Sequence, residues 1–446
     1  MTDKLIYSVV IDKELSPHEI HLHAETLKQL YMESNSIELN FGNLTKKLTI
    51  KVDHTLKINQ IKLPSYLNET ISIPNLPYVC FFKEDLLFLG PVIGFKLSFY
   101  EYTHFQNLLK LRFSNYDQIK GLLFIFNDQT INQQDKTITG FYYEPSTNQF
   151  IEGTFPYPGA IYSRSRMKPE TYSHFKEHIG ENIFNYPYEN YNKYTFWTKL
   201  SKIPYIREHL PVTSEYTGVD SLLDMLAKYE SVFVKPTSLS RGKGIFHIAK
   251  VNDGYMLSDN NGKKTPINSE KMLAKVFPSK IQKNKQYIVQ QEIPFYHFGK
   301  KIDFRLYLQK DCTKNWKYSG METKVANVGS VVSNSTYREK MMPGEVALKE
   351  IYRLNEDEIK LKIAELTKLG SNVLNVIEKI DRAHFGDVAI DLVLDKECKI
   401  WLLEVQVNYA ADRKALRSVD ERQVLPSILP TPFEYAKVLA GFNMSE

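Results

Sequence analysis

The chain has 446 residues, which is more than a single hydrophobic core usually serves, so two or three domains are expected. Its 57 basic and 52 acidic residues leave a formal charge of +5, which is compatible with anionic ligands such as nucleotides but argues against the basic face of a nucleic-acid-binding protein. The cysteines, Cys80, Cys312 and Cys398, are far apart, which argues against a disulfide framework or a structural zinc site and favours a reducing compartment.

The apolar stretches near the N-terminus lack the features of a targeting or membrane-spanning segment. The run LIYSVVI is followed at once by three charged residues beginning at Asp12, and no small-residue cleavage site appears, so it predicts a first strand. Region 78–95 is interrupted by three charged residues beginning at Lys83, so we do not expect it to cross a membrane. Together these features predict a cytoplasmic protein.

Residues 1–90 predict an N-terminal β-rich domain. The segments SIELNFG, KLTIKVD and TISIPNL are apolar or alternating, and Asn, Gly and Pro residues separate them, as in small sheets or barrels. A helix is predicted between His18 and Glu33, and no chemical motif stands out in this region.

Residues 91–188 predict a small parallel α/β domain. The buried-strand runs PVIGFKL and GLLFIFND flank a helical stretch from Tyr102 to Phe113, and the strands ITGFYYEP and GAIYSRSR follow. The aromatic run NIFNYPYENYNKY is interpreted as a linker to the next domain.

Residues 189–446 predict a third domain of mixed helices and strands, so the fold class is α+β. The expected helices are Lys193 to Leu200, Val219 to Tyr229 and Glu356 to Ile380. Between and after them come the strands SVFVKP, YIVQQEI, DFRLYLQ, VAIDLVLD and IWLLEVQVN, of which the last two read as a hairpin.

That last hairpin carries acidic side chains within apolar strands. Because side chains alternate along a strand, Asp391 is expected on one face of its strand, and Glu404, Gln406 and Leu402 together on one face of the next. Oxygen ligands converging from rigid strands suit Mg²⁺, whereas buried carboxylates paired with Lys or Arg would serve packing alone. The two strands by themselves leave both interpretations open.

The segment FVKPTSLSRGKGIF places Lys235 at the end of an apolar strand and then a loop of small residues, Thr237 to Gly244. Backbone N–H groups in such a loop can approach a phosphate closely, and the lysine adds a positive charge. A plain hairpin turn is the alternative. The spacing of a P-loop is absent.

Two further strands carry candidate nucleotide contacts. YIVQQEI could offer backbone groups and Gln291 to an adenine edge, although an ordinary edge strand fits equally well. In DFRLYLQ, Asp303, Arg305 and Tyr307 share one face, which suits a ribose hydroxyl and a phosphate or, alternatively, an Asp–Arg ion pair.

The order of these segments carries more information than any one of them. Six segments follow one another along the chain: NKYTFWTKL…LPVT, VFVKPTSLSRGKG, YIVQQEI, DFRLYL, VSN and AIDLVL…WLLEVQVN. In that order they resemble the ATP-grasp superfamily, over about residues 190–442. The likeness is greatest to the YheC/YheD-like, endospore coat-associated group. It implies an ATP-grasp fold of two α+β subdomains that hold ATP between them, preceded by a small α/β pre-ATP-grasp domain and the N-terminal β-rich domain.

The resemblance also implies roles for particular residues. Arg305 and Lys235 would be catalytic, and Asp391, Glu404 and Gln406 would bind Mg²⁺. Arg338 is a further catalytic candidate, which rests on the match of a guanidinium to a carboxylate and not on the resemblance. The nucleotide would be held by Lys193, Lys235, Ser238, Ser240, Gly242, Gly244, Gln291, Glu292, Ile293, Asp303 and Arg305. Arg338, Arg413 and Arg417 could clamp a substrate carboxylate or form surface ion pairs.

The activity implied by the resemblance is ligation of a carboxylate to an amine through an acylphosphate, with ATP and Mg²⁺. The partners would be a carboxylate and an amine acceptor (an amino acid, peptide or protein) and a coat or other protein assembly, with no nucleic acid and no membrane. A non-catalytic, nucleotide-binding coat protein and a phosphotransferase are the alternatives. The chain departs from the usual pattern at Gln406, where relatives carry Asn, and at Thr336–Arg338, where a Gly-Gly pair is expected.

Overall fold

The protein is described by a computed structural model that covers residues 7–30, 34–83, 86–104, 106–186, 192–239, 243–333, 337–409 and 423–442. Four mixed or antiparallel sheets follow one another along these residues. None of the described helices is long and apolar enough to cross a membrane.

The first sheet comes from the N-terminal region. Its strands are β1 (Ser8–Asp12), β2 (Glu19–Leu22), β3 (Ser36–Phe41), β4 (Leu44–Val52), β5 (Gln60–Pro64), β6 (Val79–Lys83) and β7 (Leu86–Gly90), in the spatial order β1–β5–β2–β4–β3–β7–β6. Helix α1 spans only Ala24–Gln29, so the helix predicted from His18 was placed too early, over strand β2. TISIPNL was wrongly predicted as a strand, since it contributes only an isolated bridge at Ser72.

The second sheet confirms the predicted parallel unit. Its strands are β8 (Val92–Lys96), β9 (Leu122–Phe126), β10 (Ile131–Asn132), β11 (Thr137–Glu144), β12 (Gln149–Pro156), β13 (Ala160–Ser163) and β14 (Ile183–Phe184). Helices α2 (Phe99–His104), α3 (Gln106–Leu109), α4 (Tyr116–Ile119) and α5 (Pro169–Ile179) belong to the same region. Strand β8 pairs in parallel with β9 and β13, and β13 pairs in parallel with β14, while β11 and β12 form an antiparallel hairpin.

The first two sheets share one hydrophobic core. Leu39 and Leu89 of the first sheet lie in the same buried cluster as Phe124 and Ile161 of the second. The domain boundary predicted between residues 90 and 91 therefore lies between two sheets with a common core, and the division into separate domains stays a proposal.

The third sheet begins the C-terminal half. Its strands are β15 (Thr213–Glu215), β16 (Ser231–Pro236), β17 (Phe246–Val251), β18 (Gly254–Asp259), β19 (Lys264–Ile267) and β20 (Tyr287–Gln291), in the order β15–β20–β16–β17–β18–β19. Helices α6 (Lys193–Leu200), α7 (Pro204–Arg207), α8 (Val219–Lys228) and α9 (Glu270–Val276) accompany it. Leu222 of α8 and Leu273 of α9 pack with Val234 of β16 in one core, which covers one face of the sheet.

The fourth sheet is antiparallel and carries the predicted acidic hairpin. Its strands are β21 (Tyr296–His297), β22 (Lys300–Lys310), β23 (Trp316–Ala326), β24 (Arg338–Pro343), β25 (Asp387–Leu394) and β26 (Ile400–Gln406), in the order β24–β23–β22–β25–β26 with β21 on β22. The helices are α10 (Gly344–Glu350), α11 (Glu356–Asp381), α12 (Leu425–Ile428) and α13 (Pro432–Leu439).

Helix α11 covers one face of the fourth sheet. Asn355 caps the helix by accepting hydrogen bonds from the backbone of Asp357 and Glu358, and the Glu358 side chain bonds back to the Asn355 backbone. Its buried residues, including Leu366 and Val373, pack in one core with Leu306 of β22 and Ile390 of β25. Because that face is apolar, the alternating polar side chains of the sheet must lie on the other face.

A buried carboxylate ties the second sheet to the fourth. Asp387, at the start of β25, is fully buried and accepts hydrogen bonds from the hydroxyls of Tyr162 and Tyr409 and, at 2.8 Å, from Gln309 Nε2. Arg164 Nη1 lies 3.6 Å from the same carboxylate. Since Tyr162 and Arg164 belong to the second sheet region, this network fixes the polar face of the fourth sheet relative to that region.

Candidate active site

A row of charged side chains crosses the open face of the fourth sheet. Arg305 of β22 lies directly opposite Glu322 of β23 on one side and Asp391 of β25 on the other. Asp391 in turn lies opposite Glu404 of β26. Cross-strand partners have neighbouring Cβ atoms, so four charged groups stand side by side across four strands.

Asp391 and Arg305 form a two-pronged ion pair. Arg305 Nε donates to Asp391 Oδ1 at 2.7 Å and Nη2 donates to Oδ2 at 2.8 Å. Both side chains are only 12% exposed, and Lys324 Nζ lies 3.6 Å from Oδ1. Burial alone would raise the pKa of Asp391, but the charges of Arg305 and Lys324 outweigh it and hold the pKa below its usual range.

A β-bulge sets the direction of Glu404. The pairing of β25 with β26 shifts by one residue between Asp391–Glu404 and Leu392–Leu402. Leu402 consequently lies in the apolar core behind the sheet, together with Val405, so the prediction that Leu402 shares a face with Glu404 was wrong. Because a bulge moves the following side chains to the other face, Glu404 and Gln406 point toward Asp391 although Leu402 does not.

Glu404 is held from two sides. Gln406 Nε2 donates to Glu404 Oε1 at 2.7 Å, and Lys193 Nζ lies 3.3 Å from Oε2. Lys193 is the first residue of α6, where the side chain of Asn192 caps the helix by accepting from the N–H groups of Tyr194 and Thr195. The cap therefore fixes the position of a lysine beside the acidic pair.

Three lysines face this acidic end: Lys193 from α6, Lys235 from β16 and Lys301 from β22. The ammonium groups of Lys235 and Lys301 lie over the ring of Phe233, at 4.8 and 4.1 Å from its centre. Burial, followed by the nearby charges of Lys301 and Lys193, lowers the pKa of Lys235 to about 7. Lys235 Nζ donates to Gln290 Oε1 at 2.7 Å, and in the described ranges neither it nor Lys301 forms an ion pair with a carboxylate.

Asp303 retains an unused acceptor at the same site. Its Oδ2 accepts a hydrogen bond from the hydroxyl of Ser333, which belongs to the segment between β23 and β24. Its Oδ1 is buried and has no hydrogen-bond partner among the residues that the structure describes. A buried carboxylate oxygen without a donor is costly, so a ligand hydroxyl would satisfy it.

Lys193, Lys235 and Lys301 therefore lie beside the carboxylates of the fourth sheet. The family described as YheC/D like ATP-grasp matches residues 180–439. The chain belongs to this family. The third and fourth sheets, with their helices, are its two ATP-grasp subdomains.

Individual relatives share only a small part of their sequence with this YheC/D-like protein. The endospore coat-associated protein YheD of Bacillus subtilis (strain 168) is 22% identical over 335 residues, covering 73% of this chain and 72% of that protein. Among solved structures, the ATP-grasp ligase PsnB with precursor peptide PsnA2 and AMPPNP has 11% identity and a TM-score of 0.46, covering 79% of this chain and 97% of that one. D-alanyl-alanine synthetase A from Vibrio cholerae has 13% identity and a TM-score of 0.42, with 79% and 98% coverage.

Of the residues predicted to line the adenine, Gln291 and Ile293 are half-buried and Glu292 is buried. Gln291 Oε1 accepts from the backbone N–H of Val212 at 3.2 Å. Glu292 accepts from Ser231, His247 and Tyr296; burial would raise its pKa, but these hydrogen bonds and the His247 charge lower it to about 2. Ile293 forms no hydrogen bond with another backbone group of the described residues, and its predicted contact with adenine stays a prediction.

The predicted loop over the phosphates is described only at its two ends. Ser238 is exposed, and Lys193 Nζ donates to the carbonyl of Leu239 at 3.2 Å, so the loop starts beside the lysine cluster. Gly244 has φ +69°, a left-handed conformation that glycine adopts without strain. Ser240, Gly242, Arg413 and Arg417 lie outside the described residues.

Tyr337, one of the residues that replace the expected Gly-Gly pair after the VSN segment, connects the fourth sheet to the third. Tyr337 donates to Asn261 Oδ1 at 2.6 Å and accepts from Asn260 Nδ2 at 3.2 Å, both in the turn between β18 and β19. Arg338 follows as the first residue of β24, opposite Ala326, and is half-buried. Its predicted catalytic role stays a prediction.

Sequence reasoning missed several residues of the site. Glu322 and Lys324 lie on β23, a strand that was not predicted because GMETKVA has three polar residues in a row and so lacks the alternation that indicates a half-buried strand. Gln290, and not Gln291, contacts Lys235, because the side chain facing the cleft depends on the pairing of β20 with β16. Lys301 lies two residues before Asp303, so the alternation of the strand places it on the same face as Asp303 and Arg305. It could therefore have been predicted from the sequence.

Proposed function

We propose that this YheC/D-like ATP-grasp protein is an ATP- and Mg²⁺-dependent ligase that joins a carboxylate to an amine through an acylphosphate. The single observation that carries the proposal is the position of the lysine cluster, Lys193, Lys235 and Lys301, directly beside the acidic pair of Asp391 and Glu404. Such a pairing of cations and carboxylates suits a nucleotide with a metal ion better than it suits a packed core.

The lysine cluster fits a polyphosphate. Its positive charges lie close enough that burial and mutual repulsion lower the pKa of Lys235 to about 7. Maintaining such repulsion in a folded protein is unfavourable unless an anion compensates it, and phosphate oxygens are suitable acceptors for ammonium donors. Asp303, with its unused Oδ1, lies near enough to influence Lys235 and would accept from a ribose hydroxyl.

The acidic pair fits a hard divalent cation. Asp391 and Glu404 are cross-strand neighbours, and Gln406 lies on the same face with an amide group. Each carboxylate oxygen has more than one acceptor site, so the Arg305 pair leaves Asp391 able to accept a further ligand. These residues would hold Mg²⁺, which when bound would neutralise phosphate charge and polarise the transferred phosphoryl group.

The chain's own side chains would act by positioning and charge neutralisation. A substrate carboxylate oxygen attacks the γ-phosphorus of ATP, the bond to the bridging oxygen breaks, and ADP leaves. An amine nitrogen then attacks the acyl carbon, phosphate leaves with its oxygen, and the amine loses a proton to give an amide. Lys235 and Arg305 would spread the developing charge, since Arg305 retains donors beyond the two on Asp391.

A non-catalytic, nucleotide-binding role in a protein assembly is the second candidate. One observation favours it: the relative YheD carries the description endospore coat-associated. In that case the chain would bind ATP and a coat or other protein without forming an amide. A spore-associated location would suit this role, and a cytoplasmic one would suit the ligase.

Product analysis separates these functions. The full chain is incubated with Mg-ATP and pools of amino acids and short peptides, and ADP, phosphate and new masses are measured. ADP that forms only when a carboxylate and an amine are both present, together with a product lighter by water than its two precursors, supports the ligase. A phosphorylated product indicates a phosphotransferase, and binding without turnover indicates the second candidate. If Mg-ATP neither binds nor raises the melting temperature, the proposal is overturned.

Lys235→Met is expected to stabilise the free protein and to weaken ATP binding. A lysine whose pKa is lowered from 10.5 to about 7 destabilises the folded state fully below about pH 7, and this destabilisation disappears as the pH rises toward 10.5. The stability gain of the variant should therefore exceed about 1 kcal/mol at pH 7 and vanish at high pH. ATP affinity should fall about tenfold to a hundredfold, because a charged hydrogen bond is lost.

Calorimetry and urea unfolding at several pH values measure both effects. Wild-type protein should take up protons on binding ATP near pH 8, seen as a heat that depends on the buffer, and Lys235→Met should take up fewer. Lys228→Met, at an exposed position at the end of α8, is the matched control. Equal proton uptake by wild type and Lys235→Met would show that the phosphates of ATP do not bind next to Lys235.

A further inference from the structure

The end of helix α5 presents three potential metal ligands that the nucleotide cleft does not use. His174, Glu177 and His178 have the spacing i, i+3, i+4, which places them on one face of the helix. One nitrogen or oxygen atom from each lies within 4.8 Å of the others. The two imidazole rings are 4.6 Å apart at an interplanar angle of 88°, and they are half-buried, while Glu177 is exposed.

We propose that His174, Glu177 and His178 bind a divalent transition-metal ion, for which zinc is the best chemical match. Two imidazoles and a carboxylate form a ligand set that zinc accepts in open sites, with water in the remaining position. Imidazole ligands favour zinc, nickel, cobalt or copper over magnesium and calcium, which require oxygen ligands. The site therefore takes a different class of ion from the carboxylate pair of the cleft.

The end of the helix favours a cation beside the three side chains, although the charge of Lys136 near His174 opposes it. Glu177 and His178 lie in the last turn of α5, where the helix dipole and free carbonyl groups are negative. His174 Nε2 lies 3.0 Å from the hydroxyl of Tyr157, a contact of the kind that orients a ligating imidazole through its second nitrogen. Tyr157 is fully buried, so this contact restrains the His174 ring from the protein side.

The site lies where the first two sheets meet. The carbonyl of Tyr157 accepts from the backbone N–H of Asn43 at 2.8 Å, in the turn after β3. Gly42 occupies that turn with φ +62°, and a Cβ there would come within 2.4 Å of the Tyr157 carbonyl oxygen. Because an ion that binds only the folded helix stabilises the folded state, occupancy should stabilise α5 and raise the melting temperature.

The test uses the full chain stripped of metal and titrated with Co²⁺ and then Zn²⁺ in millimolar Mg²⁺. The background variant Glu404→Gln removes one of the two carboxylates of the proposed Mg²⁺ site, so Co²⁺ binding that this variant retains in full belongs to α5. We expect one Co²⁺ per chain with visible absorption from imidazole ligation, its displacement by Zn²⁺, and a higher melting temperature. His174→Gln and His178→Gln should each weaken binding by more than about tenfold, and Glu177→Gln by less.

His104→Gln, an exposed histidine on α2, is the matched control and should bind as the wild type does. Unchanged melting temperatures of the metal-free variants would show that each histidine substitution leaves the fold intact. The proposal is overturned if the wild type binds no Co²⁺ or Zn²⁺ in millimolar Mg²⁺. It is also overturned if His174→Gln and His178→Gln retain wild-type affinity.

Discussion

Glu404→Gln is expected to lower ATP-dependent turnover by about a hundredfold to a thousandfold while the protein stays folded. The substitution removes one of the two negative charges proposed to hold the magnesium ion and retains the size of the side chain. Glu404 is 24% exposed, and a glutamine oxygen can still accept from Lys193 and Gln406, so the folded state loses little. Turnover is measured as ADP release with saturating Mg-ATP, and folding is monitored by thermal melting.

Glu397→Gln is the matched control for this experiment. Glu397 lies in the short connection between β25 and β26, is 75% exposed and belongs to the same hairpin. Its substitution removes the same charge from the same element, away from the cleft, and turnover should stay within about twofold of wild type, since an exposed charge contributes little. Wild-type turnover by Glu404→Gln would show that the acidic pair does not hold the metal ion.

The sequence predicted the elements that carry strong local signals. Helix α6 begins and ends at the predicted residues, and α11 differs by one residue at its end, because caps and periodicity are local properties. The family followed from the order of the segments, since each segment alone fitted an ordinary strand or turn. The N-terminal region lacked such a set of segments, and there a helix was misplaced and the strand TISIPNL was wrongly predicted.

The details of the site depend on pairing between distant segments and could not be read from local patterns. Arg305 and Asp391 are 86 residues apart, and only the register of β22 with β25 brings them together. The bulge opposite Leu392 reverses the faces expected for Leu402 and Glu404. Strict alternation predicts a strand's faces only when its ladder has no extra residue.

The free energy of unfolding of Asp391→Asn is expected to be about 3–5 kcal/mol lower than that of wild type. The amide cannot match the two-pronged contact, and the guanidinium of Arg305 and the ammonium of Lys324 would be left without their carboxylate. Loss of turnover in this variant alone would therefore not distinguish a metal ligand from a structural ion pair. The double variant Arg305→Met/Asp391→Leu removes both charges and replaces them by apolar side chains of similar size.

The double variant decides between the two interpretations of the pair that the sequence left open. Replacing a buried ion pair by apolar side chains is often neutral or stabilising, so its urea midpoint should recover most of the loss seen in Asp391→Asn, although Lys324 still lacks its carboxylate partner. If Asp391 and Arg305 serve the nucleotide, this stable protein should show no increase in melting temperature with Mg-ATP. If it binds Mg-ATP as wild type does, the pair is structural, and the metal ion must be held by Glu404 with other residues.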